Sequence, residues 1–500
     1  MNTYLRLSLC IVMMSWWSTQ KCYSQPLRSE HPVNIIYILA DDLGIGDVSS
    51  CNARSAWTTP HIDRIASEGM LFTDAHSGSA VCTPTRYGIL TGNYAWRTRL
   101  KSGVLWSFDD PLISRNEMTV GTLLQEHRYT TACIGKWHLG LGWQRVTGYP
   151  DSIDYTRPVK GGPTEVGFDY FFGITASLDI PPYVYIENQY VTRVPDHYTE
   201  NTSEMGWWRR GPTSPDFKHE EVLPLLTGKA LAFIEKMATE KAGQPFFLYF
   251  ALPSPHTPIL PAPQFQGSSK TNPYGDFVLQ VDWTVGQILN MLDDYQLSQH
   301  TLLIFTSDNG CSPEADFESL ESYGHDPSAG FRGAKADIFE GGHRIPFLAR
   351  WPGKIEEGSI SSQVICLTDL ISTVAAILDH PLPMDAGVDS YNLLPALLNK
   401  QEEPIREATV HHSVNGSFAI RQGDWKLILC PGSGGWSDPI PGSSETLTLP
   451  PYQLYNLSED PGETINRYAE EPARSAAMLE LMERYQKQGR STPQPGIAQK

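Results

Sequence analysis

Val33-Asn34-Ile35-Ile36-Tyr37-Ile38-Leu39-Ala40-Asp41-Asp42-Leu43-Gly44 is an apolar run of strand length that ends in two adjacent carboxylates. A strand that is apolar on both faces belongs in a parallel sheet covered by helices on each side. Open sheets of that kind place their sites beyond the carboxyl ends of the strands. Two neighbouring acids are costly there unless a cation or positive groups offset them. Taken alone, the pair reads equally as a helix cap and a solvated loop acid.

The same grammar repeats downstream. A short strand over 130–134 runs into Gly135-Lys136-Trp137-His138-Leu139-Gly140. An apolar strand over 245–252 runs into Pro253-Ser254-Pro255-His256-Thr257-Pro258, and one over 301–306 into Ser307-Asp308-Asn309-Gly310. A further strand is expected over 347–351. Between them, 59–66, 120–127, 226–239, 274–292 and 367–378 carry the apolar spacing of helices. Residues 183–194 and 207–215 read as long, aromatic, irregular loops, a form binding loops often take. Beyond residue 393 the alternation stops. Residues 408–412, 417–421, 425–430 and 453–457 read as antiparallel strands, with a closing helix over 476–486.

The expected fold is therefore α/β. A large mixed, mostly parallel sheet is flanked by helices, and a smaller C-terminal α+β domain carries an antiparallel sheet. The expected organisation is a signal peptide over 1–24, a catalytic domain over 25–395 and a C-terminal subdomain over 396–500.

Five hundred residues with 40% hydrophobic and 19% charged content describe a folded chain too long for one ordinary core. A net charge of −18 argues against nucleic-acid binding. It leaves an anionic substrate open, because a metal and a few local cations can dominate a pocket. Arg6 followed by an apolar stretch over 7–17 reads as an export signal, with cleavage before Gln25. A lipid anchor on Cys22 is the weaker reading, since Gln20 and Lys21 precede it. No other stretch reads as a membrane span. Cys51, Cys82, Cys133, Cys311, Cys366 and Cys430 are scattered without a C-x-x-C pair, which leaves one or two disulfides open.

One cysteine has a distinctive setting: Ser79-Ala80-Val81-Cys82-Thr83-Pro84-Thr85-Arg86-Tyr87-Gly88-Ile89-Leu90-Thr91-Gly92. Pro84 suits a first helical turn and Thr83 a cap. Cys82 is then expected at the positive end of a helix, where a thiol pKa falls. An isolated cysteine of this kind is most often a small buried thiol.

The extended pattern around Cys82 resembles the signature of the type I, formylglycine-dependent sulfatases, which have the alkaline-phosphatase-like fold. Asp-Asp-x-Gly at 41–44, the 135–140 segment, the proline-flanked His256, Ser307-Asp308-Asn309-Gly310, and Lys335 ahead of Phe339-Glu340-Gly341-Gly342 match the family's other motifs in order. The resemblance implies a sulfuric ester hydrolase. Cys82 would be oxidised by a maturation enzyme to Cα-formylglycine (3-oxoalanine), whose hydrate attacks sulfur and gives a covalent sulfoenzyme. A calcium ion would be held by Asp41, Asp42, Asp308, Asn309 and the modified residue 82. Lys136 and Lys335 would balance sulfate charge, and Arg86 would stabilise the hydrate. His256, with Lys335, would assist departure of the alcohol, and His138 would take the proton that releases sulfate.

Ser177 occupies the place of a sulfate-touching polar residue in the family. Residues 174–188, 324–328 and 411–417 resemble segments of bacterial glycan sulfatases acting on 6-O-sulfated galactose or N-acetylgalactosamine. Asp179, His325, Arg332 and His412 are the sugar contacts this implies, beside a sulfated glycan as substrate. Two alternatives stay open. One is a phosphonate monoester or phosphodiester hydrolase of the same fold. The other is an inactive glycan-binding homologue in which Cys82 remains a thiol.

Overall fold

The computed structural model describes residues 32–493, so the segment expected to be an export signal, with Cys10 and Cys22, lies outside the described residues. Eight strands form the body of the main sheet: β1 (Asn34–Asp41), β2 (Met70–Phe72), β3 (Thr130–Lys136), β4 (Tyr170–Ile174), β5 (Phe246–Pro255), β6 (Thr301–Ser307), β7 (Phe347–Arg350) and β8 (Ser359–Ser361). Their order across the sheet is β8-β2-β7-β6-β1-β5-β3-β4. The central five, β6-β1-β5-β3-β4, are parallel, whereas β7 runs antiparallel to both β6 and β2. A hairpin of Ile186–Glu187 and Tyr190–Val191 extends the β4 edge.

β1 is central and buried at every position. Its alternate residues enter opposite layers: Ile35, Tyr37 and Leu39 on one side, Ile36, Ile38 and Ala40 on the other. Helices α1 (Pro60–Ser67), α4 (Val222–Thr239) and α5 (Pro273–Asp294) supply Ile62, Leu226, Ile234 and Val285 to the second layer. Helices α2 (Cys82–Thr91) and α3 (Val120–Glu126) supply Leu90 and Leu124 to the first. This doubly covered arrangement explains the unbroken apolar runs of the strands.

Four antiparallel strands, Thr409–His412, Phe418–Gln422, Trp425–Ile428 and Gln453–Asn456, form a separate sheet. The closing helix Pro472–Gln488 packs Met478, Met482 and Tyr485 onto it, together with Tyr94 and Trp96 of the larger part. A buried polar seam joins this sheet to the larger part. Lys426 Nζ lies 3.1 Å from Glu340 and 2.8 Å from Glu463, all fully buried. Arg421 grips both oxygens of Asp74 at 2.6 and 2.7 Å. His76, His343 and His411 cluster beside them, with nitrogens near enough to one another to hold an ion. Lys426 and Arg421, however, already contact His343 and His76 at 3.0 Å each. Two cations pointing into the cluster make it a hydrogen-bonded chain and a poor cation centre.

Four local expectations differ from the structure. Residues 183–194 are not irregular throughout, since the hairpin of Ile186–Glu187 and Tyr190–Val191 lies within them. Residues 207–215 are not irregular: Trp208–Thr213 pairs with His197–Asn201 as an antiparallel ribbon. The six cysteines among the described residues are all unpaired. Helix α4 begins at Val222, a turn earlier than its apolar spacing implies, because Val222 and Leu223 are themselves buried. No helix among the described residues is long and apolar enough to cross a membrane.

Candidate active site

The carboxyl ends of four parallel strands converge. β1 ends at Asp41, and Asp42 follows with φ of 63°. That left-handed residue turns the chain so that the two carboxylates take different cation partners while staying within 4.8 Å of each other. Asp41 accepts Lys136 Nζ on both oxygens, at 2.8 and 2.7 Å, where β3 ends. Asp42 instead accepts Lys335 Nζ at 2.7 Å and Asn309 Nδ2 at 2.7 Å. His256, just past β5, brings Nε2 to 3.5 Å from Asp42. Asp308, just past β6, accepts the Arg86 fork at 3.1 and 2.8 Å and the Asp42 N–H at 3.2 Å. Arg86 also lies 3.2 Å from Asp41 and donates to the Lys136 carbonyl at 3.1 Å.

Cys82 is the first residue of α2 and is 2% exposed. Its sulfur, the His256 ring and the carboxylates of Asp41 and Asp42 lie within 4.8 Å of one another. Thr83 is not the cap. Extended Val81 (φ −145°, ψ 160°) precedes the helix, and Thr83 Oγ1 instead accepts the Leu105 N–H at 3.2 Å. Nor is the thiol acidified. Burial pushes it up to about 12, against the pull of Lys136 and Lys335.

His138 (φ 55°) turns its ring so that Nε2 meets the Leu105 carbonyl at 2.8 Å. Nε2 therefore carries the proton, and the buried, unpartnered Nδ1 is a lone pair. Burial, then Lys136 and Arg86, hold this ring well below the usual histidine range, so it is neutral. His256 donates Nδ1–H to the Thr257 carbonyl at 2.6 Å, which aims Nε2 at the cluster.

Three carboxylates, Asp41, Asp42 and Asp308, thus face three cations, Arg86, Lys136 and Lys335. The balance is uneven. Asp308 is pushed up to about 7 by burial and by Asp41 beside it. The Asn309 side-chain oxygen is buried with no partner. A carboxyl short of positive charge beside an orphaned amide oxygen, with two more carboxylates, is a donor set that fits a hard divalent cation.

A family model described as Sulfatase matches residues 33–380. The chain is a sulfatase. It is 36% identical over 511 residues to an N-acetylgalactosamine-6-O-sulfatase of Bacteroides thetaiotaomicron, covering 93% of this chain and 95% of that one. It is 32% identical over 501 residues to arylsulfatase A of Bos taurus, covering 94% and 91%. A solved 6S-sulfatase from a study of glycosaminoglycan metabolism in Bacteroides thetaiotaomicron superposes with a TM-score of 0.78 at 35% identity, over 91% of this chain and all of that one. The family is generally dependent on formylglycine and a metal. The large helix-flanked sheet and the separate four-stranded sheet match its alkaline-phosphatase-like fold.

The expected sugar contacts of the sulfatase divide into two groups. Ser177 and Asp179 lie just past Thr175, whose carbonyl accepts the His138 N–H at 3.0 Å. Asp179 pairs with Arg209, and its other oxygen is buried without a partner. His412 lies against the nucleophile segment: its carbonyl accepts the Ala80 N–H at 3.0 Å, and its Nε2 is buried and unpartnered.

His325 and Arg332 are held elsewhere. His325 Nε2 bonds Asp47 at 2.8 Å, its Nδ1 accepts the Ala56 N–H at 3.2 Å, and the ring packs on Trp57 at 3.9 Å. Both ring nitrogens are used and the side chain is buried, so it braces the loop after β1. Arg332 donates to the Glu463 carbonyl at 2.8 Å over the Phe339 ring, tying down the C-terminal sheet. Arg209, by contrast, escapes the sequence reading. Its guanidinium sits 5.2 Å from the Trp106 ring and 4.9 Å from Trp207, and the Trp207-Trp208-Arg209-Arg210 run was the available signal.

Proposed function

We propose that this sulfatase removes sulfate from a sulfated carbohydrate, with 6-O-sulfated galactose or N-acetylgalactosamine as the favoured class. The reading is supported by the N-acetylgalactosamine-6-O-sulfatase that shares 36% of its residues across nearly its whole length. The observation that carries the chemistry is Cys82 at the start of α2, within reach of two carboxylates and the His256 ring. Residue 82 would act as formylglycine, made by a maturation enzyme, its hydrate supplying the hydroxyl that attacks sulfur. Asp41, Asp42, Asp308, Asn309 and residue 82 would hold a calcium ion, which would polarise a sulfate oxygen.

Each remaining group has a role that its contacts support. Lys136 is paired with Asp41, Lys335 is held charged by Asp42 against the effect of burial, and both would offset the anionic ester. Arg86, locked by Asp308 and Asp41, holds the hydrate. His256 keeps its Nδ1 proton on the Thr257 carbonyl and presents Nε2 to the cluster; as a doubly protonated imidazolium it would give the Nε2 proton to the departing sugar oxygen and be left neutral. His138, neutral with a free Nδ1, would take the proton from the second hydroxyl of residue 82 as sulfate leaves. Ser177, Asp179 and His412 would contact the substrate. The apolar leader ahead of Gln25 supports export to the periplasm or beyond, where sulfated glycans are met.

A panel of mono- and disaccharides sulfated at known positions, read by free sulfate, tests the substrate. Release from 6-sulfated galactose or N-acetylgalactosamine is expected. Release only from 2-O- or N-sulfated glucosamine or uronic acids would overturn the sugar assignment. The mass of the peptide bearing residue 82 tests the nucleophile. Conversion lowers it by about 18 units, a thiol-to-aldehyde mass balance, and an intact thiol in active protein would overturn that assignment.

A further inference from the structure

Trp436 belongs to the Gly/Ser/Pro-rich stretch that follows the third strand of the C-terminal sheet, and it is 50% exposed. Single exposed apolar residues are ordinary. This one differs in how it is mounted and in what it overlooks. Its N–H donates to Asp337 Oδ1 at 2.8 Å, and the next N–H, of Ser437, donates to the same oxygen at 3.0 Å. The Ser437 hydroxyl takes the other oxygen of that carboxylate. Ile338 N–H bonds the Ser433 carbonyl at 2.7 Å. Gly435 lies so close that a Cβ would stand 2.5 Å from the Ala336 backbone. The loop is therefore clamped flat onto the segment that carries Lys335, and the indole ring centre lies 6.0 Å from Lys335 Nζ.

A rigidly mounted, half-exposed indole beside a group that receives the anionic ester offers a flat apolar face with little ordering cost. A hexopyranose has such a face in its ring C–H groups. We propose that Trp436 is a specificity-determining residue, the platform against which the sulfated sugar ring lies while its sulfate reaches Lys335. The C-terminal sheet thereby contributes a wall to a site whose chemistry comes from the main sheet. The proposal rests on the carbohydrate reading above and names the residue that serves it.

The test compares wild type, Trp436→Ala and Trp436→Phe, each with residue 82 converted, on the 6-sulfated galactose and N-acetylgalactosamine saccharides of the panel. Trp436→Ala is expected to raise KM about tenfold, the worth of one aromatic face, with kcat held within about threefold. Trp436→Phe restores a flat face and is expected to recover most of the KM. A KM in Trp436→Ala within about threefold of wild type, or a Phe variant as impaired as the Ala variant, overturns the platform. Wild type that cleaves an aryl sulfate but none of these saccharides overturns the carbohydrate reading itself, and the platform with it.

Discussion

At the scale of single residues, the site is a set of charges that need one another. Arg86 is fully buried and answers to Asp308 and Asp41 alone among side chains that carry charge. Asp308→Ala would leave that guanidinium half-compensated away from water. Such a change costs about 3–5 kcal/mol when a buried pair loses one partner. The variant is expected to lose bound calcium and turnover together, and to unfold at lower urea than wild type. Full activity in a chelated, metal-free wild-type preparation would contradict the metal's place in the site. His325 teaches the opposite lesson about polar residues. The resemblance of residues 324–328 to segments of glycan sulfatases implied a sugar contact, yet Asp47 and Trp57 hold its ring inside. Whether a loop histidine faces solvent or core is decided by partners about 270 residues away, which a local reading does not contain.

At the scale of elements, the strand ends were legible because each apolar run stops at a polar cluster, and the sheet places all of those stops on one edge. Asp41, Lys136, His256 and Asp308 stand at or beside those stops, and the resemblance to the sulfatase motifs singled them out there. The start of α2 was less legible, because Thr83 fits the rule for a cap before Pro84 while the residue that does precede the helix, Val81, is a poor capping type, and only its extended backbone decides. The aromatic ribbon at 208–213 hid for a different reason: Arg209, Gly211 and Pro212 break the alternation that marks a strand. One glycine carries more structural information than either. Gly135, the residue before Lys136, has φ of 117°, and a Cβ there would stand 1.8 Å from the Ala251 carbonyl oxygen on β5. Gly135→Ala must therefore push β3 from β5 and move Lys136 off Asp41. A loss of soluble yield or a turnover drop of at least about a hundredfold is expected, since small misplacements of reacting groups cost that much. Wild-type kinetics in this variant would show the close approach to be dispensable.

At the scale of the whole molecule, the two sheets are joined through charge as well as through apolar packing. Lys426 reaches from the small sheet to Glu340, one residue beyond Phe339, and to Glu463. Lys426→Met would strand the buried Glu463 and leave Glu340 to Arg344, and about 3–5 kcal/mol of stability is expected to go. Adding Glu463→Gln should return part of it, measurable by urea unfolding of wild type and the two variants. Unchanged stability in the single variant would mean that the seam contributes nothing. The central position of β1 has a consequence in time. Asn34 at its start bonds backbone and side-chain groups of Phe246 and Thr301, 212 and 267 residues further along the chain. A ribosome therefore delivers this central strand first and its two neighbours only 212 and 267 residues later. Until both arrive, that strand has exposed edges and Asp41 and Asp42 lack Asp308 and Asn309 beside them. Nascent and truncated chains are therefore expected to be aggregation-prone, and to lack the assembled site, until more than 300 residues have emerged.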